Sequence, residues 1–169
     1  SLPGNFGLGQ VRYLTAGNAY SDEEAQPFYV NAPFGIVLVH NGNLTNAQAL
    51  KAELFSTDHR HINTESDSEV LLNVLAHEID KTTRGLPLYP ADVFAAVRQV
   101  HLRVRGSYAV IALIAGHGVL AFRDPFGIRP LCLGRSEGAV MVASESVALE
   151  GTGHQLEKGQ WVGLEKWVQ

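Results

Sequence analysis

The stretch Phe34–Asn46, FGIVLVHNGNLTN, constrains the fold more than any other segment. Its first part, Ile36 to Val39, is continuously apolar, which suits a strand buried on both faces. The run then meets Asn41-Gly42, a pair that tolerates positive φ and most often makes a tight turn. Thr45 and Gln48 follow at capping-box spacing, with Ala47, Leu50 and Leu54 at helical period, so a helix is predicted directly after the turn. A strand that stops at Asn-Gly also presents a side-chain amide and a backbone N–H to one point, where an oxyanion could be held. On this stretch alone, the turn and the oxyanion site are both open readings.

Around it the chain alternates in blocks. Gly9 to Leu14 and Phe28 to Val30 are predicted strands, separated by a small, polar stretch over Ala19 to Gln26. Ser66 and Glu69 repeat the capping-box spacing ahead of Val70, Leu71, Val74, Leu75 and Ile79, which puts Asp67 in the first turn of a second helix. Pro90 opens a third helix with Val93, Phe94, Val97, Val100 and Val104, closed by Gly106. The period then changes to that of strands. Tyr108 to Ala115 and Val119 to Phe122 flank Gly116-His117-Gly118 as a hairpin, and Pro130 to Leu133, Ala139 to Ala143 and Trp161 to Leu164 are further strands. Strands, then helices, then strands with hairpin-length connections predict an α+β fold of antiparallel sheets with helices packed outside.

Composition narrows the function classes. With 169 residues, of which 46% are hydrophobic, the chain suits one domain with a real core. A net charge of -4 and a pI near 5.9 give no basic field, which argues against a nucleic-acid partner. Arg103 and Arg105 are local exceptions. No apolar run approaches the roughly 20 residues a membrane span needs. The single cysteine cannot form an internal disulfide, and a cytoplasmic setting is the default. No glycine-rich phosphate loop occurs. The start, Ser1 to Gly7, has neither an initiator Met nor a signal-peptide pattern and reads as a cut edge.

The candidate chemistry lies in a few side chains. Arg12, on a predicted short strand, is a surface residue or a planar fork for a carboxylate, with the Thr15 hydroxyl close by. Asp67 is a favourable charge at a helix N-terminus or an acceptor for a substrate ammonium. An Arg fork with an Asp acceptor is what the head group of a free amino acid requires. His40 is read as a strand-end residue oriented by its neighbours, or else a base. Asp58, His59 and His61 lack further ligands at metal spacing and are read as a polar loop. Asp124 to Gly127 reads as a turn. Cys132, between Leu131 and Leu133, is read as a core thiol with a raised pKa. The residues therefore offer a stabilising hole without an attacking group.

Six blocks in order, Val11–Gly17, Glu24–Phe28, His40–Asn46, His61–Glu69, Phe122–Leu131 and Ala143–Ser146, closely resemble the class II glutamine amidotransferase domain of the amidophosphoribosyltransferase family. The resemblance implies an N-terminal-nucleophile hydrolase fold, an αββα sandwich of two antiparallel sheets between helical layers. It implies a cysteine at the mature N-terminus that attacks glutamine, with its own α-amine as base. Asn41 and Gly42 would donate to the oxyanion, Arg12 and Thr15 would bind the α-carboxylate, and Asp67 would hold the α-ammonium. Residues 1–169 would then be one such domain, truncated before its nucleophile and before a phosphoribosyltransferase domain. Ammonia passed to that domain would make phosphoribosylamine for purine synthesis. No cofactor is expected in this segment, Mg2+ in the phosphoribosyltransferase domain, and a homo-oligomer as the assembly. The alternatives are a non-catalytic glutamine-binding regulatory domain and another class II amidotransferase.

Overall fold

The computed structural model describes residues 4–11, 25–83, 87–157 and 166–168. Phe28–Val30 (β1) pairs antiparallel with Ile36–Leu44 (β2), Phe28 lying opposite Leu38. Three helices follow, Ala47–Asp58 (α1), Asp67–Thr82 (α2) and Pro90–Arg103 (α3). Gly106–Ile114 (β3) then runs the whole length of β2, from Gly106 opposite Leu44 to Ile114 opposite Ile36. Gly118–Arg123 (β4) returns beside β3. Cys132–Ser136 (β5), Ala139–Ala143 (β6), Ser146–Gly151 (α4), Gln155–Leu156 (β7) and Lys166–Val168 (β8) complete the order. One sheet is ordered β1-β2-β3-β4-β8 and the other β6-β5-β7, with every pairing antiparallel.

Side-chain alternation along β2 decides what each face meets. Ile36, Leu38 and Leu44 point to the helices, where they join Leu50 and Leu54 of α1, Leu71, Leu72 and Leu75 of α2 and Val93, Val97 and Val100 of α3 in one core. The opposite face carries a smaller cluster of Ala109, Ala121 and Leu131, against which Ile111 and Val142 pack. Val142 of β6 therefore turns the second sheet toward the first. Gly134 of β5 lies on the reverse face, where an added Cβ would stand 3.2 Å from Leu149 of α4. The layers run helices, sheet, sheet, helix, the predicted sandwich.

Several local expectations give way. Asn41-Gly42 is not a turn: β2 continues through it to Leu44, because Asn41, Gly42 and Asn43 pair in register with Ala109, Tyr108 and Ser107. The strand also cannot tolerate a side chain there. Gly42 has φ +154°, and a Cβ on it would lie 2.0 Å from the Ser107 carbonyl oxygen. Neither capping box closes. Asn46 caps α1 without a side-chain bond, and Gln48 donates to Glu65 instead. Ser66 accepts from Ser68 N as predicted, but Glu69 turns back to the N–H groups of Asn63 and Thr64. Gly106 opens β3 where it was expected to close α3; Val104 is the cap. Residues 9–11 form no strand, β5 begins at Cys132, and the strand expected over Trp161 to Leu164 lies outside the described residues.

Asn46 does other work. Its side chain donates to Arg103 O at 2.9 Å and accepts from Arg105 N at 2.9 Å, while Thr45 N donates to Arg105 O at 2.9 Å. The exit of β2 and the entry of β3 are thus tied to each other.

Candidate functional site

Successive residues of an antiparallel strand turn their N–H and C=O groups alternately to the two sides. Gly35 O accepts from Ala115 N and Thr45 N donates to Arg105 O, so odd-numbered residues of this stretch face β3. His40, Gly42 and Leu44 face the other edge, which β1 covers only as far as Leu38. Past that point side chains replace the missing strand. Gln26 Oε1 accepts from His40 N at 2.5 Å and Gln26 Nε2 donates to His40 O at 3.0 Å. Asp67 Oδ2 accepts from Leu44 N at 2.8 Å. The Gly42 N–H, between these two, has no acceptor among the described residues.

Asn41 adds a second donor beside it. By alternation its side chain lies on the face shared with Ala109, toward the second sheet, and among the described residues its amide makes no hydrogen bond. A strand N–H and a neighbouring side-chain amide, neither with a partner among the described residues, are donors of the kind that can hold an oxyanion. Asp67 sits at the same end because α2 starts there, with Ser66 as its cap. Its Oδ1 lies 3.8 Å from His40 Nδ1, and its side chain stays 24% exposed, open to a ligand. Sequence reasoning thus placed Asn41, Gly42 and Asp67, and the structure brings all three to one end of β2. Arg12 and Thr15 lie outside the described residues.

The imidazole under the site was underrated. His40 is only 3% exposed and sits within the strand, not at its end. Burial holds its pKa below the ordinary histidine value, and Asp67 opposes that shift only in part. Nδ1 lies 3.0 Å from Ser68 Oγ, and Gln26 Nε2 donates to the same hydroxyl at 3.2 Å. Gln26 and Ser68 carried no sequence signal for this role, since Gln26 reaches His40 across 14 residues through a side chain.

The remaining candidates have structural roles. Asp124 is 1% exposed and accepts from the N–H groups of Phe126, Ile128, Arg129 and Tyr108, closing the predicted turn. Burial opposes its charge, but these bonds together hold the carboxyl below its usual range. His61 packs edge-on against Phe55, and Asp58 pairs with His77. Among the described residues no three His, Cys, Asp or Glu groups gather as a metal site. Cys132 is partly exposed, and burial followed by the charge of Glu145 raises its pKa, which leaves it a poor nucleophile. Among the described residues no helix is long and apolar enough to cross a membrane.

A two-sheet sandwich of antiparallel strands flanked by helices is the fold of the N-terminal-nucleophile hydrolases. The glutamine amidotransferase domain family matches residues 13–151, and the chain belongs to it. Its relatives are amidophosphoribosyltransferases: that of Haemophilus influenzae is 57% identical over 91% of this chain, and that of Escherichia coli 55% identical over 90%. The Schizosaccharomyces pombe enzyme is 51% identical. The chain spans 31% of the length of each bacterial relative. Among solved structures, the glutamine phosphoribosylpyrophosphate amidotransferase from B. subtilis complexed with ADP and GMP matches 90% of this chain and 34% of its own, with a TM-score of 0.67 at 24% identity, and so shares the fold. A structure described as the allosteric regulatory enzyme of purine biosynthesis matches 80% of this chain at 28% identity and TM-score 0.64.

Proposed function

We propose that this chain is the glutaminase part of an amidophosphoribosyltransferase, releasing ammonia from glutamine for phosphoribosylamine synthesis from phosphoribosyl pyrophosphate. The observation that carries the reading is the Gly42 N–H beside the Asn41 amide, neither with a hydrogen-bond partner among the described residues. In this reading both donate to the oxygen of the glutamine carboxamide as it takes on charge. Asp67 accepts from the substrate α-ammonium through the oxygen that Leu44 N leaves open, and Arg12, with Thr15, grips the α-carboxylate as a bidentate fork.

The attacking group is a cysteine thiolate supplied from outside these residues, ahead of residue 1 in the longer protein, with its α-amine as base. Its sulfur adds to the carboxamide carbon, and the electron pair of the C=O moves onto the oxygen held by Asn41 and Gly42. Collapse expels ammonia, which takes the proton the base removed. Water then cleaves the thioester to glutamate and restores the thiol. A phosphoribosyltransferase domain of the same protein is the ammonia acceptor's site.

The test is ammonia release from glutamine by the full-length protein in the presence of phosphoribosyl pyrophosphate, together with the native N-terminal residue. Turnover with an N-terminal cysteine is expected. Glutamine binding without turnover would favour the regulatory alternative, and turnover indifferent to phosphoribosyl pyrophosphate would favour another amidotransferase. Arg12→Lys should raise the glutamine KM by about tenfold with kcat little changed, because an ammonium cannot form the fork. An unmoved KM removes Arg12 from carboxylate binding.

A further inference from the structure

We propose that Gln26, acting through Ser68 and His40, is a positioning residue that keeps the Gly42 N–H uncovered and aimed. The proposal rests on the glutamine reading above and adds to it the device that sets the oxyanion donor.

Each polar atom of the Gln26 amide is committed. Oε1 accepts from His40 N, and Nε2 uses one proton on His40 O and the other on Ser68 Oγ. A hydroxyl that already accepts from Gln26 has its own proton left for His40 Nδ1, 3.0 Å away. Donation from the hydroxyl to Nδ1 goes with a neutral imidazole that carries its proton on Nε2, in keeping with its burial. Nε2 turns toward the Ser107 backbone, and it lies 2.9 Å from where a Cβ of Gly42 would stand. The ring therefore packs directly under the residue whose N–H is open.

The geometry explains why an amide side chain stands where a strand would be expected. One more residue of β1 pairing would extend the ladder toward Gly42, whereas a side chain ends it. Gln26 reproduces both backbone bonds of a strand partner at His40 and stops, so the next N–H on that edge meets no acceptor among the described residues. Ser68 follows Asp67 at the start of α2, which couples the same relay to the carboxylate on Leu44.

The experiment uses the full-length protein and two substitutions, Gln26→Glu and Ser68→Ala. The first keeps the shape but replaces the two donated bonds with lone pairs; the second removes the hydroxyl between amide and ring. For both, kcat for glutamine-dependent ammonia release should fall about 10- to 100-fold, less than deleting a donor outright, while the glutamine KM moves less than twofold. Phosphoribosylamine formation from supplied ammonium chloride should stay at the wild-type rate, which reports an intact fold. Wild-type kcat in both variants overturns the proposal, as does a parallel loss of the ammonia-supported rate, the mark of a merely structural role. A wild-type protein that releases no ammonia overturns the glutamine reading, and this proposal with it.

Discussion

The two halves of β2 are built on different rules. From Ile36 to Leu38 backbone strands lie on both sides, and Ile36 and Leu38 are fully enclosed by the helices. From His40 to Leu44 the β3 side continues unbroken, but the other side is finished by Gln26 and Asp67. A neighbouring strand satisfies every N–H turned toward it. Side chains can satisfy chosen ones, and here they take those of His40 and Leu44 and leave Gly42. The first half is a core element; the second uses the same backbone as a row of selectively occupied donors.

The contrast can be broken most severely at Gly42. Gly42→Ala forces a Cβ to 2.0 Å from the Ser107 carbonyl oxygen, and that backbone atom cannot step aside. A destabilisation of at least about 3 kcal/mol is expected in urea unfolding, with glutamine turnover abolished. Near wild-type stability would show that β2 and β3 are less tightly joined there. Leu38→Ala, in the core half, should cost about 2–5 kcal/mol in urea while the kcat of folded protein stays unchanged. A specific loss of kcat would mean the halves are not separable. Asn41→Ala should do the reverse, lowering kcat about 10²–10³-fold with a shift in unfolding free energy below about 0.5 kcal/mol. An unchanged kcat would remove Asn41 from the hole.

The smallest effect concerns pH. Burial lowers the pKa of both His40 and His101 below the ordinary histidine value. The native state therefore binds fewer protons than the unfolded chain once the pH drops below about 6.5. Stability from these two groups is complete above that pH and declines below it. The urea midpoint should fall between pH 7.5 and pH 5.5, and a midpoint that rises would contradict the buried, neutral state of these rings.

Much of the fold was legible because it follows hydrophobic period. The leucines and valines of α2 and α3, and the hairpin around Gly116 to Gly118, lie where their spacing put them. Asn41-Gly42 misled because its local preference is a turn, and the partner that overrides that preference, Tyr108-Ala109, is more than 60 residues away. The capping boxes misled for a related reason. Gln48 and Glu69 have the spacing to close their own helices, yet each finds a better partner in the loop that ends at Ser66. Within the site, Asn41, Gly42 and Asp67 were readable as residue types suited to an amino-acid amide. Gln26 was not, since nothing in a Gln-Pro pair foretells that its amide will stand in for a strand.

The clasp made by Asn46 gives the open donor its mechanical footing. Two chain reversals far apart in sequence, one leaving β2 and one entering β3, share an amide, so neither can fray alone. The exposed Arg105 N–H is consequently a sentinel for the end of the sheet that holds the candidate site: its hydrogen exchange should keep pace with that of the buried strand, and slip only when the two reversals come apart together.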